Sequence, residues 1–160
     1  MAKVDFEGFE DFEKVLESLA DPRELQGICK VALYDGAGAA AAEIVEGIRT
    51  HKTHKNPVDG MTPQEQKALL KGFGISKMEE RDGDLNVKIG FAGYDETRKT
   101  KKHKNGVPIP LTANSLRKGT SWRAKDDFMA KGMRDSRKKA PEAMEKRLDE
   151  ELAKRLKKGA

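Results

Sequence analysis

The chain has 160 residues, of which 36% are hydrophobic and 37% charged, so one domain with a small core and long solvated surfaces is expected. Its single cysteine, Cys29, excludes an intramolecular disulfide, and no apolar run approaches the ~18 residues of a membrane-spanning helix. The net charge of +5 hides an asymmetry: residues 1–50 hold 5 Lys+Arg against 11 Asp+Glu (−6), and residues 51–160 hold 27 against 16 (+11). That polarity suits head-to-tail docking of copies or presentation of one sign to a partner, with plain solvation as the alternative.

In chain order, the alternation of "KVDFEG" predicts a short strand ended by Gly8. "FEDFEKVLESLA" then sets Phe9, Phe12, Leu16 and Leu19 on one helical stripe. This acidic start lacks the apolar core of a signal peptide, so synthesis in a reducing cytoplasm is expected. Asp21-Pro22 opens a long helix to about Thr50, apolar at Leu25, Ile28, Cys29, Ala32, Gly36, Ala40, Ile44 and Ile48. Its middle, "GAGAAAA", has so little bulk that another backbone is expected close to Gly36 and Gly38, and Cys29 reads as a buried, inert thiol.

A flexible polar loop covers about 51–63, and "PQEQKALLKGFG" is a short helix closed by glycine. "GISKMEERDGDLNVKIGFAGYD" is a hairpin around "RDGD", with Leu85, Val87, Ile89 and Phe91 as its buried face. A basic, flexible loop follows at about 96–108, then a short helix, "LTANSLRKG", stopped at Gly119. Trp122, Phe128 and Met129 are expected to anchor the next segment against the body of the domain. "DSRKKAPEAMEKRLDEELAKRLKKG" closes the chain as a charged helix with a narrow seam of Met144, Leu148, Leu152 and Leu156. The predicted fold is α+β: long N-terminal and C-terminal helices on a small antiparallel sheet with a prominent hairpin.

Catalysis has little footing in this pattern. "YDGAGAAAAE" fits G-x-G-x-x-A at Gly36, Gly38 and Ala41, but the chain then enters a polar loop where a dinucleotide fold needs a second buried strand. His51 and His54 have a metal-compatible spacing but sit beside Lys52 and Lys55, which repel a cation, so they read as a solvated loop, as does His103. The basic clusters say more. Arg98, Lys99, Lys101, Lys102 and Lys104 form one, and Arg134, Arg137 and Lys138 another; each can meet phosphates or an acidic protein surface. Neither contains an aromatic residue, which argues against sequence-specific or stacking recognition.

Three stretches together resemble a known family: "FEGFEDFEKVLESL", "LLKGFGISKMEERDGDLNVKIGFAGYD" and "IPLTANSLRKGTSWRAKDDFMAKGMRDSRKKAPEAMEKRLDEEL". In their order, and in Gly-Thr-Ser followed by Phe-Met before a long helix, they are similar to the neck and tail-component proteins of long-tailed double-stranded DNA phages, the gene-product-ten-like family. The resemblance implies a structural virion protein of the head–tail junction, not an enzyme, with no cofactor and no membrane. It implies a ring of copies that contacts neck, head-completion or tail-terminator proteins and leaves a channel for double-stranded DNA. The rival expectations are a basic, non-specific DNA-binding protein and, resting on "GAGAAAA", a nucleotide-dependent enzyme.

Overall fold

A computed structural model describes residues 21–159. The predicted first strand and helix, with Phe9, Phe12, Leu16 and Leu19, lie outside the described residues. Within them the fold is α+β, with four helices and three small antiparallel ladders.

Helix α1 (Pro22–Thr50) starts where expected, with Asp21 accepting a bond from Arg23 N at 2.9 Å and Pro22 in the first turn. At 29 residues it is about 43 Å long. It is continuous through "ICKVALYDGAGAAAA", so the strand–turn–helix that a dinucleotide would need is absent. Helix α2 (Pro63–Gly72) follows the polar loop. Then β1 (Phe73–Ile75) pairs with β4 (Ile89–Phe91), and β2 (Glu79–Arg81) with β3 (Asp84–Asn86). These are two ladders of one hairpin: Ser76 N bonds Lys88 O at 2.8 Å between them. Asp82 and Gly83 both have positive φ (54° and 86°), as a tight two-residue turn requires. Next, β5 (Tyr94–Asp95) pairs with β6 (Val107–Pro108), α3 (Ile109–Lys118) ends at Gly119, and α4 (Ala130–Gly159) closes the described chain.

The core sits at one end of the molecule. Ile44 and Ile48 of α1 meet Met61, Leu69, Ile109, Ala113, Leu116, Phe128 and Met129, with Phe73, Ile89 and Phe91 packed against them. Leu85 and Val87 alternate with exposed neighbours, whereas Ile89, Gly90 and Phe91 are all half-buried; none of the four predicted residues is fully buried. A lone ribbon covered on one face cannot hide them further. Cys29 is exposed, against expectation. Ile28 and Ala32 occupy the inward face of α1, and one residue on, the side chain has rotated ~100° away.

α1 and α4 run antiparallel as the longest contact in the fold. Glu24 meets Arg155 at 3.4 Å, Asp35 meets Arg147 at 3.4 Å, and Glu43 meets Lys139 at 2.5 Å. Three of the four acidic residues of α1 therefore meet a base of α4 within one chain. α4 begins at Ala130, earlier than expected, and so includes Gly132 in the crossing. A Cβ on Gly132 would lie 2.6 Å from Ile44 Cα, and one on Gly47 3.0 Å from Gly132 N. The close backbone approach is thus at Gly47, not in "GAGAAAA". Gly36 makes room for the Met144 side chain, and Gly38 faces open space. Replacing Gly38 with alanine is accordingly expected to stabilise the protein by about 0.5–1 kcal/mol, seen as a higher urea midpoint at unchanged m-value. Of the α4 seam, Met144, Leu148 and Leu152 are half-buried; the Leu156 side chain lies outside the described residues.

Candidate functional site

One buried carboxylate organises the end of the molecule where the loops gather. Helix α2 starts with Thr62 as N-cap, whose side chain accepts from Glu65 N while Glu65 accepts from Thr62 N, a reciprocal capping box. That places Glu65, only 2% exposed, beneath two loops. Arg123 meets it through both terminal nitrogens, Nη1 to Oε1 at 3.0 Å and Nη2 to Oε2 at 2.5 Å. Nη2 also donates to Gly60 O at 2.7 Å. Arg98 adds a bond to Oε1 at 2.6 Å. A planar guanidinium matches a carboxylate in this two-point way, so the turn carrying Arg123 is held in orientation as well as position.

Burial alone would raise the pKa of Glu65. The Arg123 hydrogen bonds, the Thr62 N–H and the charges of Arg123 and Arg98 outweigh it and hold the pKa below the ordinary 4.5. A folded pKa below the unfolded one means stability that is complete above pH 4.5 and lost as pH falls through the folded value. Urea midpoints taken from about pH 6 to about pH 3 should fall, and Glu65→Gln should flatten that fall. An unchanged slope in the variant would contradict the assignment.

A second link fastens the polar loop. His51 Nε2 lies 2.6 Å from Asp126 Oδ1, and Met61 N donates to Asp126 Oδ2 at 2.7 Å. Gln66 Nε2 donates to Ile48 O at 2.7 Å and closes the end of α1. His51 is therefore half-buried and partnered, not a solvated loop residue. Among the described residues no group of three His, Cys, Asp or Glu is placed to hold a metal.

The arrangement is a clamp. Both oxygens of Glu65 are engaged by at least two donors each, so neither is open to accept a proton from a substrate. What the clamp presents is two exposed features. The first is the basic loop between β5 and β6: Val107 N bonds Arg98 O at 2.9 Å, Thr100 and His103 exchange backbone bonds, and Lys99, Lys101, Lys102 and Lys104 are exposed. Arg98 does not belong with them, because its guanidinium is turned inward to Glu65. Arg134, Arg137 and Lys138 are exposed on α4, a different element.

The second is the turn after α3. Gly119 takes φ +72°, Thr120 and Arg123 exchange backbone bonds at 3.0 and 3.3 Å, and Asp126 N bonds Leu116 O at 2.8 Å. Phe128 is 1% exposed and Met129 9%; both belong to the core. Trp122 is 53% exposed and does not anchor the segment. In so tight a turn adjacent side chains point apart, and Arg123 has the inward place. Its guanidinium lies 5.8 Å from the indole centroid, supporting the ring from within.

Sequence reasoning missed Glu65, Arg123 and Asp126. The T-x-x-E signature at Thr62–Glu65 was available as a helix start. Arg123 carries no such signal, since in "RKGTSWRAK" it is one cation among four. No family model matches the chain, and no curated protein or solved structure matches it.

Proposed function

We propose that this chain is a structural protein of a phage head–tail junction, one subunit of a ring that joins or completes the tail around the DNA channel. The observation that carries the reading is the order of elements. A long helix, the "GISKM…NVKIGF" hairpin, a short helix, the Gly119 turn, the Phe128–Met129 anchor and a long terminal helix follow one another as in the resembled neck and tail-component proteins. Its work is geometry and binding, with no cofactor and no bond made or broken. Partners on this reading are copies of itself, adjoining neck, head-completion or tail-terminator proteins, and packaged double-stranded DNA touched without sequence preference. A phage lacking the protein should make filled heads and tails that do not join, or tails of defective termination. Normal yields of infectious particles would overturn the reading.

The four exposed lysines of the β5–β6 loop favour one alternative, a non-specific DNA-binding protein acting alone. If all four met phosphates, log K should fall against log salt with a slope of about −3.6. Neutralising Lys99, Lys101, Lys102 and Lys104 to glutamine should then bring the slope near zero. A free protein without measurable DNA affinity at low salt favours the ring subunit instead.

A further inference from the structure

Of the three basic clusters among the described residues, only the turn after α3 carries a Phe, Tyr or Trp. There Trp122 is 53% exposed, with exposed Arg117 and Lys118 on one flank and exposed Lys125 on the other. Among the described residues no salt bridge reaches any of these three cations. The adjoining carboxylates are Asp126, held by His51 and Met61 N, and the exposed Asp59 and Asp127. Asp126 N and Leu116 O close the base of the turn at 2.8 Å, and Ala124 N ties it to Val58 O at 2.9 Å. A Cβ on Gly119 would stand 3.1 Å from Lys125 N, so the backbones of the two flanks lie against each other. On its inner side the indole has the Arg123 guanidinium 5.8 Å from its centroid, and Arg123 is itself fixed on Glu65.

We propose that this turn binds single-stranded nucleic acid, with one unpaired base stacked on the outer face of Trp122 and the adjoining phosphates met by Arg117, Lys118 and Lys125. Stacking of this kind needs a flat, accessible ring and cations placed to follow the sugar–phosphate chain. Every base has a π-face, so the contact is indifferent to sequence. A duplex keeps its bases stacked on one another, and taking one out costs unpairing and unstacking. A protein partner is the poorer fit, because the cores of protein interfaces are depleted in charged residues and here three cations surround one ring. The mounting contributes as well: a ring already held by Arg123 and Glu65 loses little freedom when a base lands on it. This contact is independent of the head–tail reading and of the β5–β6 loop, whose lysines have no tryptophan among them.

Trp122 is the only tryptophan, so its fluorescence reports on the site directly. With the full chain at low salt, an oligothymidylate of about ten nucleotides should quench that emission saturably. An abasic oligomer of equal length and charge should leave the emission unquenched and bind about tenfold more weakly. Followed by the anisotropy of a labelled oligothymidylate, Trp122→Ala should also weaken binding about tenfold, and Trp122→Phe much less. Trp122 is exposed, so both variants should keep the parent's circular dichroism and urea midpoint. Replacing Arg117, Lys118 and Lys125 with glutamine should reduce the slope of log K against log salt by about 2, the share of three phosphate contacts with a single strand. An unquenched emission at low salt overturns the proposal, as does equal affinity for the abasic oligomer or binding indifferent to Trp122→Ala. Quenching by polyglutamate as strong as by oligothymidylate would assign the turn to an acidic protein surface and also overturn it. An infectious deletion phage removes the neck reading and leaves this contact standing; a silent titration with a defective deletion phage does the reverse.

Discussion

Replacing Arg123 with alanine should cost about 3–5 kcal/mol of folding free energy, measured by urea unfolding at neutral pH. The Arg123 side chain is 1% exposed and that of Glu65 3%, so the truncation leaves a carboxylate sealed from water with only Arg98 and the Thr62 cap to hold its charge. Gly60 O loses its donor as well. The penalty arises from the abandoned charge more than from the lost attraction, since forming a buried pair already costs the desolvation of both ions. Glu65→Leu combined with Arg123→Met should therefore recover part of the loss. Arg123→Lys should not fully rescue, because an ammonium is a point donor and cannot reproduce the two-point bond. A loss under about 0.5 kcal/mol for Arg123→Ala would show that the pair is not buried as described.

Gly132→Ala should destabilise the protein by about 1–3 kcal/mol even though alanine is worth ~1 kcal/mol more than glycine in a helix. The added methyl would stand 2.6 Å from Ile44 Cα and 2.7 Å from Glu43 O, and both are backbone that cannot rotate aside. The helices must separate there, which opens the contact of Ile44 and Ile48 with Phe128 and Met129. Gly38→Ala, in the same helix pair but with nothing within 4 Å of its Cβ, should change stability in the opposite sense. The two variants share their chemistry and differ only in their neighbours. Equal effects would rule out the crossing at Gly47 and Gly132.

Most elements were legible because each rests on local rules. Asp21-Pro22 opens α1 by capping, "RDGD" turns the hairpin through a residue pair that tolerates positive φ, and Gly119 stops α3. The α+β class and the half-burial of Leu85, Val87, Ile89 and Phe91 follow from periodicity in the same way. Less was legible wherever the outcome depended on a residue far away in the chain. "GAGAAAA" marks a helix face with room beside it, but Gly47 and Gly132 make the crossing, and they are 85 positions apart. The tryptophan read as an anchor because large aromatics are usually inside. It was displaced by its neighbour, whose partner Glu65 lies 58 residues earlier.

By itself, then, the chain's sequence determined most helices and turns, though not the start of α4, and that residues 1–50 and 51–160 carry opposite charge. Tertiary structure alone decided what those charges do. Glu24, Asp35 and Glu43 find Arg155, Arg147 and Lys139 in the same molecule, Arg98 turns inward, and Arg123 becomes the one cation of its run that is sealed from water. The reason is physical. Helix and turn signals are read over a few residues, whereas the fate of a charge depends on whether a partner and a low-dielectric surrounding arrive together, and only the packed fold brings them.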